Sequence, residues 1–186
     1  EDNSVRLIYA GTSPTDTAGF SSTSQAFNSS YNSSVYVGYK YTSGAQHGLD
    51  TNSAIKTHLD EWYASNLNAD STVDGSGNKY DKYISRTAIY CNDRTVGSGT
   101  WSLSGSEFYY GAYTRLYTNK APTYVCSQLN DRFTTSTTTG NGELYNASGA
   151  ESPVGTITAD EVAYAGGLYN TNNTSYYIYQ NASSGA

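Results

Sequence analysis

Between Asp70 and Asp81 the chain reads DSTVDGSGNKYD, with oxygen-bearing side chains at Asp70, Thr72, Asp74, Ser76 and Asn78, Asp81 closing the run and Gly75 at its sixth place. A calcium loop of this length sets oxygens at its odd positions up to the ninth and at its last, around a sharp turn at glycine. A hard divalent cation needs that many oxygen ligands, and the backbone must bend tightly to supply them. Three positions depart from the pattern. Thr72 stands where Asp or Asn is usual, Gly77 where an apolar residue pins the loop, and Asp81 where a longer Glu would reach further. The competing reading is a DGSGN turn in a surface loop, and both stay open.

The only two cysteines, Cys91 and Cys126, each lie beside the tripeptide Asn-Asp-Arg. Asn92, Asp93 and Arg94 follow the first, and Asn130, Asp131 and Arg132 begin four residues past the second. One disulfide closing a loop of about 35 residues is the simplest use of two cysteines in an exported chain. Two buried thiols are the alternative. Joined sulfurs would bring the tripeptides together, so that Arg94 could pair with Asp131, or Arg132 with Asp93, while the short Asn and Asp side chains end turns on backbone amides. These six residues read first as structural polar ties and second as a polar ligand cluster.

Nucleophilic catalysis finds little to work with. There is no G-x-S-x-G elbow, and His47 and His58 are the only histidines to serve as a base. H-E-x-x-H and C-x-x-C metal motifs and the glycine-rich phosphate loops are likewise missing from the sequence. Asp60, Glu61, Asp93, Asp131, Asp160 and Glu161 could in principle supply the two carboxylates of a glycosidase. An extracellular polysaccharide hydrolase is therefore the enzymatic alternative, and no catalytic residue is assigned.

The elements that must position these residues come from a chain of 186 residues with 10 Lys and Arg, 16 Asp and Glu and a net charge of -6. No basic surface is available to neutralise phosphates, so nucleic acid is not an expected partner. Polarity comes from Ser, Thr, Asn and Gly, and much of the apolar surface from 20 tyrosines. Tyrosine combines a rigid ring with a water-tolerant hydroxyl and suits both exposed sheets and recognition surfaces. This composition points to an exported, extracellular protein, and a hydrophobic fraction of 37% is too high for a wholly disordered chain. No apolar run nears the ~20 residues that would span a bilayer, and the first residues lack signal-peptide features.

Strands are expected over residues 4–11 (SVRLIYAG), 34–41 (SVYVGYKY, with Val35, Val37, Tyr39 and Tyr41 on one face) and 174–180 (TSYYIYQ). The long polar connection between the first two is expected to pack through Phe20 and Phe27. Residues 53–66 place Ile55, Leu59, Trp62 and Tyr63 at helical spacing, with Asp50, Thr51 or Asn52 as cap. Lys56, Asp60 and Glu61 then face solvent, and His58 packs or hydrogen-bonds. The middle, from Asp81 to Tyr117, reads as short strand-like pieces, and residues 134–142 as a Thr- and Gly-rich loop. Residues 153–167 read as strand then helix, with Thr158 and Glu161 as a capping box and Gly166-Gly167 as the stop.

Taken together, AFNSSYNSSVYVGYKY, LDEWYASNL, YISRTAIYCNDRT, YYGAYTRLYTNKAPTYVCSQLNDRFTT and PVGTITADEVAYAGGLY resemble the ectodomain of exported, prepilin-type surface proteins of gut bacteria. The C-terminal part is similar to the C-type-lectin-like fold shared with formylglycine-generating enzymes. The resemblance implies an α+β, C-type-lectin-like domain over residues 1–186, with short twisted antiparallel strands, two or three helices and long irregular loops. It also implies an anchor helix ahead of the domain and a Trp-rich continuation after YYIY, neither of which this sequence contains. Nothing matches the enzymes' cysteine site, so the resemblance implies scaffold without catalysis. The expected function is that of a non-enzymatic cell-surface protein, a type IV pilus-like subunit or an adhesin. Its partner would be a glycan or protein on a host or neighbouring cell, or copies of itself in a filament, with calcium as the candidate ion.

Overall fold

A computed structural model of the chain describes residues 25–30, 32–104 and 108–164. The expected strands at 4–11 and 174–180, Phe20 and the Gly166-Gly167 stop lie outside the described residues. What is described is an α+β arrangement with few, very short antiparallel strands and three helices. Strand β1 (Lys40–Tyr41) pairs with β2 (Thr51–Asn52), which leads directly into α1 (Ala54–Asn66). Strand β3 (Tyr90–Cys91) pairs with β4 (Arg132–Phe133), setting Tyr90 opposite Phe133 and Cys91 opposite Arg132. Between β3 and β4 lies α2 (Gly111–Tyr113), which widens into a π turn over Thr114–Thr118; α3 (Ala159–Tyr164) comes last.

Helix α1 forms where its periodic residues predict, and Ile55 and Leu59 pack with Leu49 and Tyr90 around a small core of Tyr39, Phe133 and Leu144. Phe27 joins by stacking on Tyr39 at 6.0 Å, and Phe133 meets Tyr39 edge-on at 5.1 Å. The cap differs from expectation. Ser53, not one of the three preceding residues, accepts from the Lys56 amide at 3.1 Å and starts the first turn.

The polar face of α1 is corrected more substantially. Lys56 is only 1% exposed and Asp60 is also buried, with Lys56 Nζ donating to Asp60 Oδ1 at 2.5 Å and to the Tyr145 carbonyl at 2.9 Å. Spacing of four residues puts the two charges side by side, and the Tyr145 carbonyl meets Lys56 from a distant segment. Glu61 alone of the three is exposed.

The expected strand over 34–41 is a single 3-10 turn at Ser34–Tyr36 followed by β1, so only Tyr39 of its four alternating residues enters the core. Gly38 breaks the run: its φ is 104°, and a side chain there would meet Arg94 Cδ at 2.7 Å. The strand-like reading of 108–117 is overturned by α2 and the π turn, and 153–158 carries no regular strand. The capping box stands as read. The Thr158 amide donates to Glu161 Oε2 at 2.7 Å and the Glu161 amide to Thr158 Oγ1 at 3.1 Å. No described helix is long and apolar enough to cross a membrane.

Candidate functional site

Cys91 and Cys126 form a disulfide with their Cα atoms 5.7 Å apart, and beside it the two Asn-Asp-Arg stretches meet. The β3–β4 register continues one step further, with the Asn92 amide donating to the Asp131 carbonyl at 2.9 Å. Arg94, 1% exposed, donates through Nε to Asp131 Oδ1 at 2.7 Å, and its backbone amide reaches Oδ2 at 2.9 Å. Its remaining nitrogens donate to the carbonyls of Lys40, Gly48 and Asn130 at 2.7, 2.8 and 3.1 Å. A planar fork of fixed donors can satisfy several segments at once, which is why arginine and not lysine suits this position. One guanidinium thereby joins the loop before α1 to both flanks of the disulfide.

His47 completes this cluster. Its Nδ1 lies 3.1 and 3.0 Å from the two oxygens of Asp131, and since an ionised carboxylate only accepts, Nδ1 carries the proton. Asn130 Nδ2 donates to the His47 carbonyl at 3.0 Å, and Asn92 Oδ1 accepts from the Tyr39 amide at 2.8 Å. Of the two cross-pairings open to sequence, Arg94 with Asp131 forms and Arg132 with Asp93 does not. Arg132 Nε turns to the Cys126 carbonyl at 2.6 Å instead.

Asp93 is claimed by a residue the sequence reading passed over. Arg115 NH1 donates to Asp93 Oδ2 at 2.8 Å, while its Nε and NH2 grip Asp160 at 2.9 and 2.7 Å. Two carboxylates raise the Arg115 pKa further, the Asp160 bond contributing most. Burial works to raise the Asp93 pKa, but the Arg115 and Thr95 hydrogen bonds outweigh it and hold the carboxyl below its ordinary range. This bridge docks the π turn on α3 and on the segment after Cys91. The signal was the lone cation in a Tyr-rich stretch, but it becomes readable only once that stretch is known to be helical.

Above this base runs a row of tyrosines. Tyr109, Tyr113 and Tyr117 recur every four residues through α2 and the π turn, with ring centroids 4.8 and 5.1 Å apart and planes tilted by 33° and 29°. Tyr109 is 62% exposed and Tyr117 40%. The segment beneath is fixed to residues 95–97: the Gly97 amide donates to the Tyr109 carbonyl at 2.6 Å and the Gly111 amide to the Thr95 carbonyl at 2.5 Å. Gly97 is required there, because a side chain would run into Thr114 and the Tyr109 carbonyl. A second pair, Tyr124 and Tyr164, stacks at 4.2 Å with about half of each residue exposed, and Tyr164 donates to the Pro122 carbonyl at 2.7 Å.

The loop expected to hold calcium is a short hairpin. Val73 bridges Lys79, the Asp74 amide donates to the Asn78 carbonyl at 2.8 Å, and Asp74 Oδ1 accepts the amides of Ser76 and Asn78 at 2.8 and 2.9 Å. Tyr83 also donates to Asp74, and that bond, with the turn amides, lowers its pKa well below the usual range. Asp70 pairs with Lys79 at 2.7 Å, Thr72 Oγ1 donates to the Ala69 carbonyl at 2.8 Å, and Asp81 binds Arg86 at 2.5 Å and accepts from Tyr63. Asp70, Asp74 and Asp81 thus have separate partners. No group of three His, Cys, Asp or Glu suited to a metal occurs among the described residues.

Comparison of the chain with protein-family models, with curated proteins and with solved structures gave no match.

Proposed function

We propose that this chain is an exported, non-enzymatic cell-surface protein, a pilin-like subunit or adhesin, which meets its partner through exposed tyrosines held on a rigid base. The observation that carries this reading is the Tyr109, Tyr113 and Tyr117 row, its two end residues exposed while the backbone beneath is fixed by hydrogen bonds and by Arg115. Rigid amphipathic rings lose little conformational freedom on binding, and a pre-formed surface avoids the ordering cost that weakens flexible ones. The resemblance of its motifs to exported prepilin-type proteins with a C-type-lectin-like ectodomain supports the same setting.

The alternative, a polysaccharide hydrolase, asks for two carboxyl groups facing each other across a groove, one of them able to hold a proton. Asp60, Asp93, Asp131 and Asp160 are each bound to a Lys or Arg, and Glu161 closes a helix cap. Their engagement in ties favours the binding reading. Calcium in the 70–81 loop is part of the proposal as a stabilising ion, checked by thermal melting with calcium and with chelator.

The test is a binding screen of the chain against immobilised glycans and extracellular proteins, with sedimentation over a wide concentration range for self-association. Binding in one arm, weakened in Tyr109→Ser/Tyr117→Ser, is expected. A monomer that binds nothing in any arm would overturn the reading.

A further inference from the structure

Lys120 stands apart from the other cations. Every other described Lys or Arg side chain is ion-paired or hydrogen-bonded within the protein. Lys120 has no such partner among the described residues, and residues 117–121 around it are all exposed. We infer that the Lys120–Ala121 bond is a processing site for a trypsin-class serine protease, which turns the chain into a two-chain form held together by its disulfide. The inference goes beyond the binding function proposed above and shares with it only the exported setting.

A protease of this class seats one long cationic side chain in a pocket with a carboxylate at its foot. A lysine already held by a partner must first release it, and Lys120 has none to release. The backbone must also be drawn out into the enzyme's cleft, which local opening permits most readily at exposed loops. From Asn119 to Gln128 the chain has no regular structure. Two bonds at 3.0 Å hold the site to the π turn, from the Asn119 amide to the Thr114 carbonyl and from the Ala121 amide to the Arg115 carbonyl. Lys120 itself lies at φ 50°, in the left-handed region that a side chain disfavours, so extending the chain relieves strain as those bonds open. Its rivals are better guarded. Lys79 sits in a bridged hairpin and pairs with Asp70, Lys82 lies within a 3-10 turn, and Arg86 is bound to Asp81.

Hydrolysis adds one water across the bond, breaks C–N, and leaves a carboxylate on Lys120 and an amino terminus on Ala121. Because the cut lies between Cys91 and Cys126, the disulfide keeps residues 1–120 and 121–186 in one molecule. Charge ties them as well. Asp160, on the second chain, still grips Arg115 on the first at 2.7 Å and accepts from the Thr123 amide at 2.9 Å.

Limited digestion of the folded, unreduced protein with trypsin, followed by intact mass with and without reduction, tests this. The first internal cut is expected to add one water to a single species, which reduction then splits between Lys120 and Ala121. Trimming after Arg6 is not an internal cut and does not enter the ranking. Lys120→Arg should keep the cut, whereas Lys120→Gln should slow internal cleavage by about tenfold or more with an unchanged circular dichroism spectrum. A first internal cut after Lys79, Lys82 or Arg86 overturns the inference. So does a folded chain that trypsin leaves whole, loss of all sites together at the rate of global unfolding, or a Lys120→Gln chain cut as fast as the original.

Discussion

Arg94 shows how much one side chain can hold in this molecule. It is buried against a buried carboxylate and donates to three carbonyls, two in the β1–β2 hairpin and one in the stretch after Cys126. Arg94→Met leaves Asp131 charged and without its guanidinium, a loss of roughly 3–5 kcal/mol on the scale of broken buried pairs. Arg94→Lys should fall almost as far, because an ammonium cannot reproduce the fork. Removing both charges in Arg94→Met/Asp131→Leu should recover part of the loss in urea denaturation. A double variant no more stable than Arg94→Met would show that the carbonyl contacts, not the ion pair, dominate.

Tyr39 makes a prediction of a different kind at the same scale. Burial pushes its pKa up to about 12, against the Thr156 hydrogen bonds that act to lower it. The folded state thus keeps the phenol proton to higher pH than the unfolded state, whose value is the ordinary one near 10. Stability from this source is fully present below pH ~10 and is lost as pH rises towards 12, on the order of 2–3 kcal/mol in all. Tyr39→Phe should flatten that alkaline limb in denaturation curves, at a cost of about 1 kcal/mol at neutral pH for the lost hydrogen bond. An alkaline limb unchanged in the variant would assign the loss to other groups.

Among the elements, α1 and the α3 cap were legible because their signals are local. Four apolar residues at helical spacing and a Thr-x-x-Glu pair need no knowledge of the rest of the chain. The role of Lys56 was not legible, since its spacing with Asp60 looks the same on a solvated face and on a buried one. The tyrosine row was missed for the opposite reason. YYGAYTRLY alternates well enough for a strand, and its first residues do bridge residues 95–97 antiparallel, but from Gly111 the chain turns into α2. The Cys91–Cys126 link was read correctly because two cysteines leave few combinations, and Arg94–Asp131 is one of the two cross-pairings that the repeated tripeptide left open.

The buried pair on α1 also has an element-scale test. Burial lowers the Lys56 pKa, opposed by the Asp60 hydrogen bond, so the helix holds a charge it partly resists. Lys56→Met alone should destabilise by roughly 3–5 kcal/mol by stranding Asp60, whereas Lys56→Met/Asp60→Leu should be near neutral or stabilising. Equilibrium unfolding of the three proteins decides it. A double variant as unstable as the single would mean that the Tyr145 carbonyl left without its donor is the larger loss.

At the scale of the molecule, the core among the described residues is small and their strands are two residues long, so connectivity there comes from ties between distant segments. The disulfide is the one covalent tie, across a sequence separation of 35, and both charged clusters lie directly beside it. Closing a loop of that length removes unfolded-state freedom equivalent to about 3–4 kcal/mol. For a chain of this size the loss should lower the melting temperature by roughly 6–16 °C. Cys91→Ala/Cys126→Ala, or reduction with the freed thiols counted, should therefore melt early, and ligand binding by the tyrosine row should weaken with it, because β3 carries the segment on which the row stands. Early melting with binding intact would mean that Arg115 and the backbone bonds of residues 95–97 hold the row by themselves. An unmoved melting temperature with two titrated thiols would show that the ion-paired network is the true staple of the fold.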